Sequence, residues 1–213
     1  MTSRPLIILD FDRTLFSEVF YERFVRLMGE HNLLPESVVQ DLLITIKDPD
    51  QTIDLLTPLK NAGVDTDKAL SIARSETSHE SFLYPDVSEF LERHKKYRII
   101  ILTTGVDLSW QEAKLSLCPE LKDFKKILIY GNKGRYILDN LKTDSNKVSL
   151  GELEGEWYDR IVLVDDRVEA LIPLIGTPGV ELWQVERPGA KYLRTHDHEG
   201  IKHVTSLKEI HIA

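Results

Sequence analysis

Four short apolar runs, rich in β-branched residues and each stopped by a polar or glycine-containing turn, constrain this chain most. They are Leu6 to Leu9 (LIIL), Arg98 to Leu102 (RIIIL), Lys126 to Tyr130 (KILIY) and Ile161 to Val164 (IVLV). Continuous rather than alternating apolarity marks strands covered on both faces, the condition of a parallel sheet between helices. A fifth run, Val180 to Val185 (VELWQV), precedes Glu186-Arg187-Pro188-Gly189. Helix-period segments separate the runs. Val87, Phe90 and Leu91 stripe Val87 to His94 after a Pro85-Asp86 start signal, and Leu108 to Leu117 and Tyr136 to Leu141 are similar. Such alternation requires right-handed crossovers and predicts an α/β, Rossmann-like fold with a mainly parallel sheet.

Residues from about 16 to 84 read differently, with helical periodicity and few strand signals. Phe20, Phe24 and Leu27 stripe a first helix, and Val38, Val39, Leu42, Leu43 and Ile46 a second. Ile53, Leu55, Leu56 and Leu59 belong to a third, and Ala69, Leu70, Ile72 and Ala73 to a fourth. Breaks fall at Gly29, Pro35, Asp48-Pro49 and Gly63. The expected organisation is a core of residues 1–15 and 85–213 with a helical insertion at 16–84. A chain of 213 residues suits one domain with such an insertion.

The net charge of −8, from 27 Lys plus Arg against 35 Asp plus Glu, opposes nucleic-acid binding, which needs a basic stripe. Cys118 is the only cysteine, which excludes an internal disulfide and fits a reducing compartment. Met1-Thr2-Ser3-Arg4 leads straight into a strand without a charged-then-apolar leader, and no apolar run approaches bilayer length. A cytoplasmic protein without a membrane partner is expected.

The ends of the apolar runs carry the chemistry. The first delivers Asp10-Phe11-Asp12-Arg13-Thr14, the second Thr103-Thr104-Gly105, the third Gly131-Asn132-Lys133-Gly134 and the fourth Asp165-Asp166-Arg167. In a parallel sheet these ends meet at one edge, where ligands of open α/β folds bind. If extended, the first segment would turn Asp10 and Asp12 to the same side. Their mutual repulsion calls for a cation, a proton or a charged substrate. An aspartate can attack phosphorus to form an aspartyl-phosphate, and a second carboxylate can protonate the leaving oxygen and then deprotonate water. A lysine and a hydroxyl can hold the phosphoryl oxygens, and Mg²⁺, which prefers oxygen ligands, can neutralise the remaining charge.

These segments, taken in order, resemble the four motifs of the haloacid dehalogenase (HAD) superfamily: Asp10-Phe11-Asp12-Arg13-Thr14, Ile101-Leu102-Thr103-Thr104-Gly105, Lys133, and Val162-Leu163-Val164-Asp165-Asp166-Arg167. The terminal Val204-Thr205-Ser206-Leu207-Lys208-Glu209-Ile210 is also similar to a common end of that family. The resemblance covers residues 1–15 and 85–213. It implies Asp10 as nucleophile and Asp12 as general acid/base, with Thr103, beside Thr104, and Lys133 on the phosphate. It implies Mg²⁺ held by Asp10, the backbone carbonyl of Asp12 and the acid of the fourth motif. In the tandem pair Asp166 is favoured as direct ligand, with Asp165 close by or acting through water. Phosphatases and phosphomutases of the family carry the second aspartate, whereas dehalogenases lack it. An insertion between the first two motifs matches a C1-type cap that selects the substrate.

Three departures stand out. Arg13 occupies a position where many members have glycine. The lysine is open among Lys133, Lys142 and Lys147, with Lys133 favoured because it follows a strand and opens a helix. Glu169 is a further candidate acid of the fourth motif.

The resulting expectation is a Mg²⁺-dependent phosphatase acting on a small phosphorylated metabolite. The alternatives are a phosphomutase or other phosphotransferase, a phospho-receiver and a non-catalytic binding protein. Each motif also has a structural reading: turn aspartates at Asp10 and Asp12, a helix cap at Asp165-Asp166, turn threonines and a solvated lysine. His196-Asp197-His198 with His203 matches no standard zinc spacing and reads as an exposed loop. So does the acid-rich Gly151 to Glu156. Cys118 reads as a packed small residue, and Trp110, Trp157 and Trp183 as core or cap packing.

Overall fold

A computed structural model describes residues 4–47, 55–105, 107–151, 155–188 and 198–212. The chain divides into two compact units, one of Met1–Phe16, Tyr84–Gly105 and Asp123–Ala213, the other of Ser17–Leu83 and Val106–Lys122.

The first unit is built on six parallel strands: β1 (Pro5–Leu9), β2 (Arg98–Thr104), β3 (Lys125–Ile129), β6 (Arg160–Asp165), β7 (Val180–Val185) and β8 (Ile201–Val204). Their spatial order is β3-β2-β1-β6-β7-β8, so three of the four apolar runs that predict a parallel sheet (β1, β2 and β6) lie inside it and the fourth, β3, is at an edge. Leu6, Ile8, Ile100, Leu102, Ile161 and Leu163 fill one face, packed with Tyr158, Ile137 and Leu171. Ile7, Leu9, Ile99, Ile101, Val162 and Val164 are buried on the other. Burial on both faces explains why these strands show no alternation.

Several boundaries differ from the sequence reading. The run at Lys126 to Tyr130 becomes an edge strand, Lys125–Ile129, mostly half-buried, and Tyr130 is exposed. An edge strand is covered less completely than a central one. The helix read at Tyr136 to Leu141 begins earlier, as α7 (Lys133–Asn140), because Asn132 caps it. A small antiparallel pair, β4 (Lys142–Asp144) and β5 (Lys147–Ser149), carries no apolar run and was not anticipated. Nor was β8, whose Ile201 and Val204 are too few to show a pattern. Helix α5 (Val87–His94) matches its expected bounds.

The second unit holds α1 (Val19–Glu30), α2 (Glu36–Lys47), α3 (Leu56–Asn61) and α4 (Thr66–Glu76), joined by α6 (Leu108–Ser116). Sequence alone places α6 in the core, within residues 85–213. Aromatic packing explains its place: the Trp110 ring lies 5.0 Å from Phe24 and 5.8 Å from Phe20, and Lys114 Nζ donates to Tyr21 Oη at 3.1 Å. Of the tryptophans, only Trp110 is buried. Trp157 is exposed and Trp183 half-buried, its indole N–H donating to Glu181 Oε1 at 3.0 Å, which corrects the reading of all three as packing residues. Cys118 is buried. No described helix is long and apolar enough to cross a membrane.

Candidate active site

Sheet register brings the strand ends together. Leu9 pairs with Ile101 on one side and Val164 on the other, which sets Asp10 level with Asp165 and one residue short of Thr103. The Asp10 N–H donates to Val164 O at 2.9 Å, so the chain follows its neighbour just past the end of β1. It then turns. Phe11 is wholly buried, Leu15 and Phe16 both donate to Phe11 O, and Arg13 adopts φ 64° with its N–H on Phe16 O at 2.8 Å. Strand β1 ends at Leu9, and beyond it Asp12 is half-buried and forms a single bridge to Phe16.

Asp10, Asp165 and Asp166 are all buried, and each offers a carboxylate oxygen within 4.8 Å of the other two. This is the only such grouping of His, Cys, Asp and Glu among the described residues. Lys133, the first residue of α7, lies among them at 5% exposure. Its Nζ donates to Asp10 Oδ1 and forms an ion pair with Asp165 Oδ2 at 2.7 Å. Lys142 and Lys147 sit instead on the β4–β5 pair and are exposed. Thr14 Oγ1 donates to the second Asp10 oxygen at 3.1 Å, a role the sequence reading did not assign.

Three carboxylates against one ammonium leave an excess of negative charge out of water. Burial, partly offset by Lys133, raises Asp10 to about 6, with Asp165 and Asp12 adding to the rise. Burial likewise raises Asp166 well above its ordinary value, reinforced by the charges of Asp10 and Asp165. Lys133 is pulled down by burial, but the surrounding carboxylates of Asp10, Asp165 and Asp166 outweigh this and raise it. Perturbed titration of several groups in one buried cluster marks a candidate functional site.

The two tandem acids differ. Asp165 Oδ1 accepts from the Arg167 N–H at 2.9 Å, and its Oδ2 lies in an ion pair 2.7 Å from Lys133 Nζ without a hydrogen bond of its own. Asp166 keeps a buried Oδ2 without a partner, and its backbone carbonyl accepts from Gln184 Nε2 at 3.1 Å. Thr103 Oγ1 is also buried without a partner. An orphaned carboxylate oxygen beside two others fits a cation held by oxygen alone, and an orphaned hydroxyl fits an acceptor brought by a ligand. Asp12's side chain lies outside the tight triad.

Thr104 stands apart from Thr103. It lines a cavity of about 190 Å³ with Gly131, Asn132, Lys133, Arg167, Glu169 and Ala170. Glu169 is exposed and is not part of the acid cluster. His196 and Asp197, with Glu152 to Glu154, lie outside the described residues. His203 Nδ1 lies 3.4 Å from Glu186 Oε1 and joins no group of potential metal ligands among the described residues.

No protein-family model matches this sequence, and no curated protein matches it. Solved structures do share its fold. A haloacid dehalogenase-like protein from Burkholderia xenovorans aligns with a TM-score of 0.63 at 15% identity, over 97% of this chain and 94% of its own. A HAD-type protein from Bacillus subtilis, crystallised with magnesium, aligns at 0.52 and 15% identity, over 98% and 97%. The L-2-haloacid dehalogenase of Xanthobacter autotrophicus, with chloropropionic acid covalently bound, aligns at 0.52 and 12% identity, over 97% and 96%. The chain has the fold of the haloacid dehalogenase-like hydrolases.

Proposed function

We propose that this chain is a metal-dependent phosphatase that hydrolyses a small phosphomonoester through a phosphoryl group carried on Asp10. The observation that carries the proposal is the buried cluster of Asp10, Asp165, Asp166 and Lys133 at the ends of neighbouring parallel strands. Fold likeness alone would not separate phosphatase from dehalogenase. Asp12 supports the first, because cleaving a phosphate ester needs a group to protonate the departing oxygen and dehalogenation does not.

Asp10 has one oxygen on Thr14 and one on Lys133, which fixes the plane of its carboxylate. An oxygen of that carboxylate attacks phosphorus, the bond from phosphorus to the leaving oxygen breaks, and Asp12 supplies its proton. Water then attacks the Asp10 phosphoryl group, Asp12 takes a proton from it, and phosphate leaves. Lys133 and the Thr103 hydroxyl hold the non-bridging oxygens. Asp10 and Asp166, with Asp165 beside them, would hold Mg²⁺, which supplies the charge neutralisation that lets a phosphate dianion approach carboxylates. An all-oxygen donor set favours such a hard cation over zinc or copper. Selection among phosphomonoesters falls to the helical unit in this reading, and the site of action is cytoplasmic.

Hydrolysis of an aryl phosphate with Mg²⁺ and with a chelator tests the proposal. Activity should require the metal, vanish in Asp10→Asn and fall about 100- to 10,000-fold in Asp12→Asn. Full activity in Asp10→Asn would overturn it. Product analysis with sugar phosphates separates hydrolysis from phosphotransfer: free phosphate for the first, an isomeric phosphate for the second.

A further inference from the structure

Lys133 is held by more than its charge partners. It is the first residue of α7, and the residues on either side of it grip the short helix α8 (Val168–Leu171), which follows directly from the Asp165-Asp166-Arg167 turn. On one side, Asn132 Oδ1 caps α7 by accepting from the Arg135 N–H at 2.9 Å. The same amide's Nδ2 donates to Glu169 O, within α8, at 2.8 Å. One side of the amide meets a donor and the other an acceptor, so the group has only one satisfied orientation. On the other side of Lys133, Gly134 is buried against α8. A Cβ placed there would stand 2.1 Å from Ala170 O, 3.1 Å from Ala170 C and 3.2 Å from Pro173 Cδ. Backbone and a proline ring cannot swing aside as a flexible side chain can.

We propose that Asn132 and Gly134 are positioning residues that lock α7 to α8 and so hold Lys133 against Asp10 and Asp165. The absence of a side chain at Gly134 sets how closely the two elements approach, and the Asn132 amide sets their register. The device ties the lysine to the segment that bears both tandem carboxylates, so the cation and the acids it faces move together. An ammonium buried among carboxylates has to be aimed, because a displacement of about 1 Å from productive geometry can cost about 100-fold in rate. The catalytic consequence rests on the function proposed above; the structural one does not.

Competitive acetylation of the full-length protein with acetic anhydride, read by mass spectrometry at each lysine, separates the two. In the wild type, Lys133 should react far more slowly than the exposed Lys142 and Lys147. In Gly134→Ala and in Asn132→Ser, its rate should rise about tenfold or more. Asn132→Ser keeps a side chain able to cap α7 and removes only the bond to α8, which guards against a Gly134→Ala variant that fails to fold. Lys114, 1% exposed in the helical unit, should stay protected in both variants and reports on general unfolding. The value of kcat/KM should fall with the loss of protection. Unchanged Lys133 labelling in a folded Asn132→Ser protein would overturn the lock. Lys133 unmasked in both variants of a protein that hydrolyses no phosphomonoester would uphold the lock and refute the phosphatase reading.

Discussion

Arg187 Nη1 donates to Asp86 Oδ2 at 2.6 Å across 101 residues of sequence, and both side chains are buried. The same carboxylate oxygen accepts from Ser206 Oγ at 2.6 Å and from the Leu207 N–H at 2.7 Å. Arg187 Nη2 donates to Thr14 O at 2.6 Å, and its guanidinium lies 4.2 Å from the Tyr84 ring centroid. One ion pair thus ties the end of β7, the start of α5, the C-terminal turn and the loop that carries Asp10.

Breaking that pair should be severe, because it leaves a charge out of water without its partner. Arg187→Met is expected to lower stability by about 3–5 kcal/mol. Urea unfolding followed by circular dichroism measures it. A loss below about 1 kcal/mol, the range of an exposed pair, would contradict the assignment.

Thr103 should show the opposite signs for stability and function. Its hydroxyl is buried without a partner, an arrangement that costs about 1–3 kcal/mol. Thr103→Val keeps the shape and removes the orphan, so the urea midpoint should rise while kcat/KM for an aryl phosphate falls. A lower midpoint, or unchanged turnover, would show that the hydroxyl is not reserved for a ligand.

Arg13 holds φ 64°, a conformation that strains a residue with a Cβ. Arg13→Gly should stabilise the protein by about 0.5–1 kcal/mol, while Arg13→Ala, which keeps the Cβ, should not. The contrast between the two variants in urea is the readout, and equal effects would refute the strain.

His94 gives the core a pH dependence. Burial holds it below its ordinary 6.5, against the opposing effect of its bond to Phe90 O. A depressed value means that the unfolded chain takes up the proton first. The contribution of the neutral ring is therefore complete above pH 6.5 and is lost as the pH falls below it. His94→Phe should flatten that part of the stability profile. An unchanged slope in the variant would assign the loss to other groups.

The parts of this protein that repeat a pattern were legible in sequence. Leu6 to Leu9, Arg98 to Leu102 and Ile161 to Val164 are apolar without alternation because they are central strands, and their polar ends are where carboxylates, threonine and lysine accumulate. What sequence did not show depends on distant partners. Nothing local marks Arg187 as the counter-ion of Asp86, or Asn132 as bound to the carbonyl of Glu169. Gly134 looks like any turn glycine until the Ala170 carbonyl is seen against it. Trp110 carried α6 into the helical unit by packing on Phe24, a contact that periodicity within α6 cannot reveal.

A phosphoryl group carried on Asp10 is the step on which the proposed hydrolysis depends. The most direct measurement is peptide mass spectrometry after rapid acid quenching of the protein turning over an aryl phosphate with Mg²⁺. Phosphorylation is expected on the peptide bearing Asp10, enriched in Asp12→Asn and absent in Asp10→Asn. Turnover with no phosphoryl group on that peptide, or with one on another residue, would contradict it.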